Sequence, residues 1–195
     1  MIYNIAIDGP AGAGKSTIAK RVAKNPGFIY VDTGAMYRAM AVYFIDKGID
    51  VKDEDAVSRD CDNVNIMIEY KDNLQQVILN GENITSRLRT EEVGNTASAV
   101  AVYPAVRKKL VELQKELAKK TSVVMDGRDI GSCVLKDAVC KIYLTASVEC
   151  RALRRMAELQ EKGVDTSLEI IKADISDRDY RDMHRDVSPL IQAED

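Results

Sequence analysis

The sequence predicts an α/β domain with a mainly parallel sheet. Three observations carry that reading. Short apolar runs alternate with stretches of helical spacing along most of the chain. The runs at residues 2–8, 28–31, 122–125 and 139–144 are nearly all apolar, as strands covered on both faces are. One stretch with strand-like alternation and a tight-turn signal interrupts the pattern, which marks an insertion rather than a change of fold.

Residues 2–8 form the first strand and enter a glycine-rich turn at residues 9–14. From Lys15 to Lys24, Ile18, Ala19, Val22 and Ala23 share one helix face, and Asn25-Pro26-Gly27 stops the helix. Residues 28–31 are the second strand, ending at Asp32-Thr33-Gly34. The next helix covers residues 35–46, with Met36 and Met40 as core, and closes on Gly48. From residue 62, Val64, Ile66 and Ile68 alternate with more polar neighbours, and Lys71-Asp72-Asn73 breaks the run. Residues 77–79 follow, then the turn dipeptide Asn80-Gly81, with Ile84 continuing the ladder. This small antiparallel meander implies an inserted lobe over residues 62–98. Pro104 opens an amphipathic helix to residue 120. The third strand, residues 122–125, ends at Asp126-Gly127-Arg128-Asp129, and residues 139–144 are the fourth. Helices over residues 148–162 and 168–185, separated by Gly163-Val164-Asp165, complete the pattern.

A chain of 195 residues suits one domain with such a lobe. Lys+Arg total 28 and Asp+Glu 31, a net charge of −3, which argues against a basic surface made to coat nucleic acid. The longest apolar run, residues 39–45, is far short of a membrane span, and the N-terminus carries no secretion-type segment. Cys61, Cys133, Cys140 and Cys150 lack C-x-x-C spacing and there is one histidine, His184, so neither zinc nor a disulfide framework is expected. Reduced thiols and a cytoplasmic location are the expectation. With one histidine to draw on, the chemistry left is that of phosphate, carboxylate and guanidinium groups.

Gly9-Pro10-Ala11-Gly12-Ala13-Gly14-Lys15-Ser16 fits G-x-x-x-x-G-K-[ST] between a strand and a helix. Its glycines let backbone N–H groups converge on phosphate, and the following helix adds its positive end. Lys15 supplies a full charge for the β- and γ-phosphates. Ser16 can hold Mg²⁺ directly or through water, and Thr17 can reach the α-phosphate. GTP-specific proteins need a base-reading N-K-x-D motif, and the chain has no Asn-Lys pair, which favours ATP. Asp126 also permits an ATP-hydrolysing motor reading, in which it activates water.

Arginines cluster near the strand ends. Arg38 follows Gly34 by one turn, Arg107 lies one turn into the helix opened by Pro104, and Arg128 directly follows the third strand. Arg151, Arg154 and Arg155 share one helix face, as do Arg178, Asp182 and Arg185. In an open parallel sheet, ligands bind beyond the carboxyl ends of the strands, which brings several of these groups to the phosphate loop. Arginine suits two facing phosphates because its planar fork grips their oxygens bidentately. A phosphate acceptor needs no base, whereas a sugar hydroxyl would use Asp32 or Asp129; a small-molecule hydroxyl kinase is the second reading. A nucleotide-dependent binding module gripping RNA is a third, disfavoured by the absence of tryptophan and only two phenylalanines. Asp174–Arg178 and Asp177–Arg181 also fit solvated helix pairs, and Arg151, Arg154 and Arg155 alone fit a solvated face equally well. Lys108-Lys109 reads as surface charge, and His184 as a surface histidine.

Several separate motifs occur in order: residues 7–17, Asp32-Thr33-Gly34-Ala35-Met36-Tyr37-Arg38, Arg89-Thr90-Glu91-Glu92-Val93, Pro104-Ala105-Val106-Arg107, Asp126-Gly127-Arg128-Asp129-Ile130-Gly131, Arg178-Asp179 and Arg185-Asp186-Val187-Ser188-Pro189-Leu190. Through them the chain resembles, over nearly all its length, the bacterial cytidylate kinases, P-loop nucleoside monophosphate kinases acting on CMP and dCMP. The resemblance implies a P-loop NTPase-type parallel sheet flanked by helices, with an antiparallel β lobe and a helical lid. The core would be residues 1–61 and 99–145, the monophosphate-binding insert 62–98, the lid 146–165, and a helix returning to the site 166–195. It implies ATP on residues 9–17 (Gly9, Pro10, Ala11, Gly12, Ala13, Gly14, Lys15, Ser16, Thr17), closed over by Arg151, Arg154 and Arg155. Arg38, Arg128 and Arg185 would grip the CMP phosphate and, with Lys15, carry the transfer. Thr33, Arg107 and Asp129 match positions that read cytosine, and Ser98, Arg178 and Asp182 positions that hold the sugar. Mg²⁺ with ATP is the implied cofactor and a monomer the implied state, with no nucleic-acid or membrane partner. Two departures stand out: Thr33 replaces a frequent Ser, and the sequence stops before the family's last strand and closing helix, which implies an exposed sheet edge.

Overall fold

The computed structural model describes residues 1–24, 27–72 and 74–195. Asn25 and Pro26, read as part of a helix stop, and Asn73, read as part of a strand break, lie outside the described residues. The first part of the chain forms β1 (Asn4–Asp8), α1 (Lys15–Lys24), β2 (Ile29–Asp32), α2 (Thr33–Lys47), α3 (Glu54–Cys61), β3 (Ile66–Lys71), β4 (Leu74–Leu79) and β5 (Glu82–Asn83). Then come α4 (Glu91–Val100), α5 (Pro104–Lys120), β6 (Val123–Gly127), a π-helical turn (Ile130–Val134), β7 (Cys140–Tyr143), α6 (Val148–Glu161) and α7 (Leu168–His184).

The main sheet runs β2-β6-β1-β7 with every pairing parallel, and a second sheet, β3-β4-β5, is antiparallel. Side-chain alternation splits the core over the main sheet's two faces. Ala6, Val123 and Met125 pack on one side with α2 and α5; Ile7 and Val124 pack on the other with Ala19 and Ala23 of α1. This explains why the strand segments read as continuous apolar runs. Helix α2 contacts β6, β4, α4 and α5, and Met36, Ala39, Met40, Ala41 and Phe44 are wholly buried, so its apolar residues encircle the axis. Gly48 ends it in the left-handed conformation, φ 64°. No helix among the described residues is long and apolar enough to cross a membrane.

The structure adds two helices that the sequence reading omitted, α3 and α4. Each is short and anchored by few apolar residues, Val57 and Cys61 in α3, Val93, Ala97 and Val100 in α4. Their starts are fixed by side-chain caps, Asp53 on the Ala56 N–H at 3.0 Å and Thr90 on the Val93 N–H at 3.3 Å. The ladder bond expected at Ile84 is present, its N–H donating to Val77 O at 3.0 Å. Lys109, read as surface charge, donates to the Cys61 and Asp62 carbonyls at 2.8 and 3.0 Å and caps the end of α3.

The small sheet is tied to β2, an outer strand of the main sheet. Gln75 accepts from the Asp32 N–H at 2.8 Å and donates to the Asp32 carbonyl at 3.3 Å, while the Tyr70 hydroxyl donates to the Tyr30 carbonyl at 3.1 Å. These side chains satisfy outward backbone groups that a neighbouring strand would otherwise pair. They also fix the end of β2, from which Thr33 and Arg38 project. At the opposite edge, β7 is flanked by Lys141–Asp195, an ion pair at 2.6 Å.

Candidate active site

The phosphate loop leaves β1 through Gly9, whose φ is 145° and where a Cβ would lie 1.9 Å from the Leu144 carbonyl oxygen, so only glycine fits. Lys15 opens α1, is 6% exposed, and donates to the Pro10 carbonyl at 2.7 Å. Burial first, and the Arg128 guanidinium second, push its ammonium down to about 7. Asp126, Asp182 and Asp8 pull the other way without overcoming burial, and phosphate oxygens would add the negative charge that this ammonium lacks. Ser16 donates to Asp126 at 3.0 Å, and the Tyr30 hydroxyl donates to the same carboxylate at 2.9 Å. Burial and the neighbouring Asp32 carboxylate push Asp126 up. A hydroxyl bonded to a carboxylate that is short of positive charge is an oxygen donor set suited to a hard divalent cation. No cluster of three or more His, Cys, Asp or Glu with metal-site geometry occurs among the described residues.

The arginines converge on this loop through one chain of charges. Arg128, at the end of β6, donates through Nε to Asp182 of α7 at 2.7 Å. Asp182 also lies 3.6 Å from Arg185, and although burial would raise its carboxyl, Arg128, Arg178 and Arg185 together hold it low. Arg178, which fitted a solvated pair with Asp174, is instead turned inward. Burial and then Arg128 pull it down to about 10, Arg38 adds to the repulsion, and its Nε is buried without a partner. Arg38 stands 3.9 Å from Asp32. Three guanidiniums, those of Arg128, Arg178 and Arg185, thus act on the Asp182 carboxylate, and Arg38, beside Asp32, adds a further positive charge near Arg178. That surplus, beside Lys15, is a seat for a dianion.

A second buried knot adjoins it. Arg107, 2% exposed, pairs with Asp129 and donates to the Ala101 carbonyl at 3.1 Å, and Arg185 stands 3.7 Å from the other Asp129 oxygen. Arg107 also lies 5.7 Å from the Tyr37 ring centroid. Thr33 is buried and donates to the Asp126 carbonyl at 2.7 Å. Ser98 is half-buried on α4, which packs against α2. Asp32 accepts from the Ala35 N–H at 3.1 Å, capping α2. Asp32 and Asp129, the two carboxylates that a hydroxyl kinase could use as base, each lie beside arginine, Asp32 by Arg38 and Asp129 by Arg107 and Arg185.

A sequence model described as cytidylate kinase matches residues 5–195. A cytidylate kinase of Oceanobacillus iheyensis is 51% identical over 191 residues, 98% of this chain and 83% of that protein. One of Lactobacillus johnsonii is 48% identical over 194 residues, 100% and 84%. One of Bacillus cereus is 49% identical over 192 residues, 98% and 85%. The chain belongs to the cytidylate kinase family. It is an enzyme, a kinase that phosphorylates a nucleoside monophosphate.

Within this cytidylate kinase fold the three α6 arginines part company. Arg151 is 3% exposed, and its guanidinium bonds Asp179 of α7 at 3.0 and 2.5 Å, the Ala11 carbonyl at 3.1 Å and the Ala146 carbonyl at 2.9 Å. It joins α6, α7 and the phosphate loop, and four of its five N–H groups are committed to protein acceptors. Arg154 reaches the Gly12 carbonyl at 3.4 Å and stays at the surface over the loop. Arg155 pairs with Glu158 at 3.3 Å along the helix and is not brought to the site. Sequence reasoning missed three participants: Asp126 as partner of Ser16, Asp179 as partner of Arg151, and Asp8. Burial raises the Asp8 carboxyl, while the Gly131 and Ile130 N–H groups pull against that. For Asp126, the signal was available in its place at the end of a buried apolar strand. His184 is exposed, stacked on Tyr180 at a centroid distance of 4.0 Å.

Proposed function

We propose that the enzyme transfers the γ-phosphoryl group of ATP to CMP or dCMP, giving ADP and CDP or dCDP, by direct in-line displacement. The observation that supports this most is the surplus of guanidinium over carboxylate at Arg38, Arg128, Arg178 and Arg185, continuous in charge with Lys15. ATP would lie on residues 9–17 with Arg154 above them. Arg38, Arg128 and Arg185 would hold the acceptor phosphate, Thr33, Arg107 and Asp129 the cytosine, and Ser98, Arg178 and Asp182 the sugar. Residues 62–98 would act as the monophosphate-binding insert, 146–165 as the lid and 166–195 as the returning helix, in a monomer working in the cytoplasm.

A phosphomonoester has a second pKa of about 6, so the acceptor is largely dianionic at neutral pH and needs no base. An acceptor oxygen forms a bond to the γ-phosphorus as the bond to the β-phosphate oxygen breaks. Lys15 and Arg128 screen the repulsion between the two polyanions, and Arg38 and Arg185 orient the attacking phosphate. Ser16 and Asp126 would hold Mg²⁺, which when bound neutralises charge on the β- and γ-oxygens. The test is an ADP-release assay of the intact enzyme with CMP, dCMP, UMP, AMP and small hydroxyl compounds. CMP and dCMP are expected to lead; turnover of a hydroxyl acceptor with none of CMP overturns the proposal.

Lys15 gives a second test. Its folded value near 7 lies below the unfolded 10.5, so between those values the unfolded chain holds more protons and stability rises with pH. ATP brings negative charge to the ammonium and raises its pKa again. At pH 8, binding should therefore take up a substantial fraction of one proton, and at pH 6 far less. Calorimetry in two buffers of different ionisation enthalpy reads this directly. Equal heats in both buffers at pH 8 would show that Lys15 is already charged.

A further inference from the structure

We infer that Asp8 is a positioning residue for base selection: it fixes the arch that carries Arg128 and Asp129 against the strand feeding the phosphate loop. The inference rests on Asp129 as a reader of cytosine.

Asp8 is the last residue of β1 and lies opposite Gly127 of β6 in the parallel register. It is 6% exposed, and its two carboxylate oxygens are used separately. One accepts from the Ile130 N–H at 2.8 Å, the other from the Gly131 N–H at 2.7 Å. Those donors open the π-helical turn Ile130–Val134, where the first N–H groups have no partner within the turn. The cap comes from a residue 122 positions away in sequence, across the sheet.

The other foot of the arch is equally confined. A Cβ on Gly127 would lie 2.6 Å from Ile130 Cδ1 and 2.8 Å from Thr33 Oγ1. A Cβ on Gly131 would lie 3.1 Å from Lys141 Cδ and 3.4 Å from Asp8 Oδ2. Between these two feet stand Arg128 and Asp129, which reach Asp182 and Arg107 respectively. Asp8 is itself held, because its carbonyl accepts from the Leu144 N–H at 2.8 Å and the next residue is the tightly packed Gly9. One side chain therefore connects the start of the ATP cradle to the loop proposed to read the acceptor.

The test uses Asp8→Asn in the intact enzyme. Asparagine keeps the shape but turns an NH₂ towards one of the two N–H donors, so one bond is replaced by a donor–donor contact. With ATP saturating, the CMP-to-UMP ratio of kcat/KM should fall about tenfold, the scale of one lost hydrogen bond to a charged group. KM for ATP should stay within about twofold. A variant less active by the same factor on CMP and UMP, at unchanged ratio, makes Asp8 structural only and overturns the inference. Amide exchange in the unmodified enzyme keeps the question open to refutation if the variant does not fold: Ile130 and Gly131 should be strongly protected, and fast exchange at both removes the anchor. If the unmodified enzyme itself shows no preference for CMP over UMP, the base-reading assignment fails instead, which is a separate outcome.

Discussion

Arg128→Met is expected to lower kcat with CMP by about 10²–10³, the usual cost of removing one preorganised group that meets charge developing in the transition state. Methionine keeps most of the buried stem and removes the guanidinium. The fold should tolerate this, because Asp182 keeps Arg185 at 3.6 Å and the Arg178 charge after Arg128 is gone. The loss should fall on kcat more than on KM for ATP, since Arg128 is proposed to face the transferring group rather than the nucleoside. Arg128→Lys should not rescue the rate: a point charge on a flexible stem cannot both bond Asp182 through a planar fork and present a second edge to phosphate. An independent readout comes from Lys15. Arg128 is the charge that pushes the Lys15 ammonium down most, so its removal should shift Lys15 upward and shrink the proton uptake on ATP binding at pH 8. A kcat within a few-fold of the unmodified enzyme would remove Arg128 from the transfer step.

What the sequence disclosed depended on how local the responsible physics is. The four parallel strands and the helices α1, α2, α5, α6 and α7 were legible, with ends shifted by a few residues. Their signals are apolar runs, 3.6-residue spacing, and markers such as Pro104 and Gly48 that act within one or two turns. The phosphate loop was legible for the same reason: its cradle is built from consecutive residues. Helices α3 and α4 were not, because two or three apolar anchors in eight to ten residues do not establish a period. The structural ties were also hidden. Gln75–Asp32, Lys109–Cys61 and Arg151–Asp179 join residues 43, 48 and 28 positions apart, and no local pattern announces such a pairing. Arg178 shows the limit most clearly. Its four-residue spacing from Asp174 fits an exposed pair, but α7 presents that arginine to Arg128 and Asp182, and only the packed fold decides which neighbour it has.

Asp129→Ala should have the largest combined effect on stability and base choice. Arg107 is 2% exposed and Arg185 is nearly as buried, and Asp129 is the carboxylate beside both. Removing one partner of such a pair leaves uncompensated buried charge, a cost of about 3–5 kcal/mol. For a chain of this size that corresponds to a fall in Tm of roughly 10 °C. Base choice should change as well. Cytosine offers an N4 amino donor that a carboxylate accepts, whereas uracil offers an O4 acceptor that a carboxylate repels. With Asp129 absent and Arg107 released, the site would present a donor where it presented an acceptor. The CMP-to-UMP ratio of kcat/KM should fall by more than tenfold, while KM for ATP changes little. The two effects can be separated. In Arg107→Met with Asp129→Leu, both members of the closest pair are replaced by apolar side chains, a replacement that is often neutral or stabilising, while Arg185 keeps Asp182 at 3.6 Å. The double variant should therefore regain much of the lost Tm yet remain unable to prefer CMP. Recovery of the preference together with stability would mean that Asp129 supports the fold without reading the base, and an equal loss for every acceptor in the single variant would mean the same.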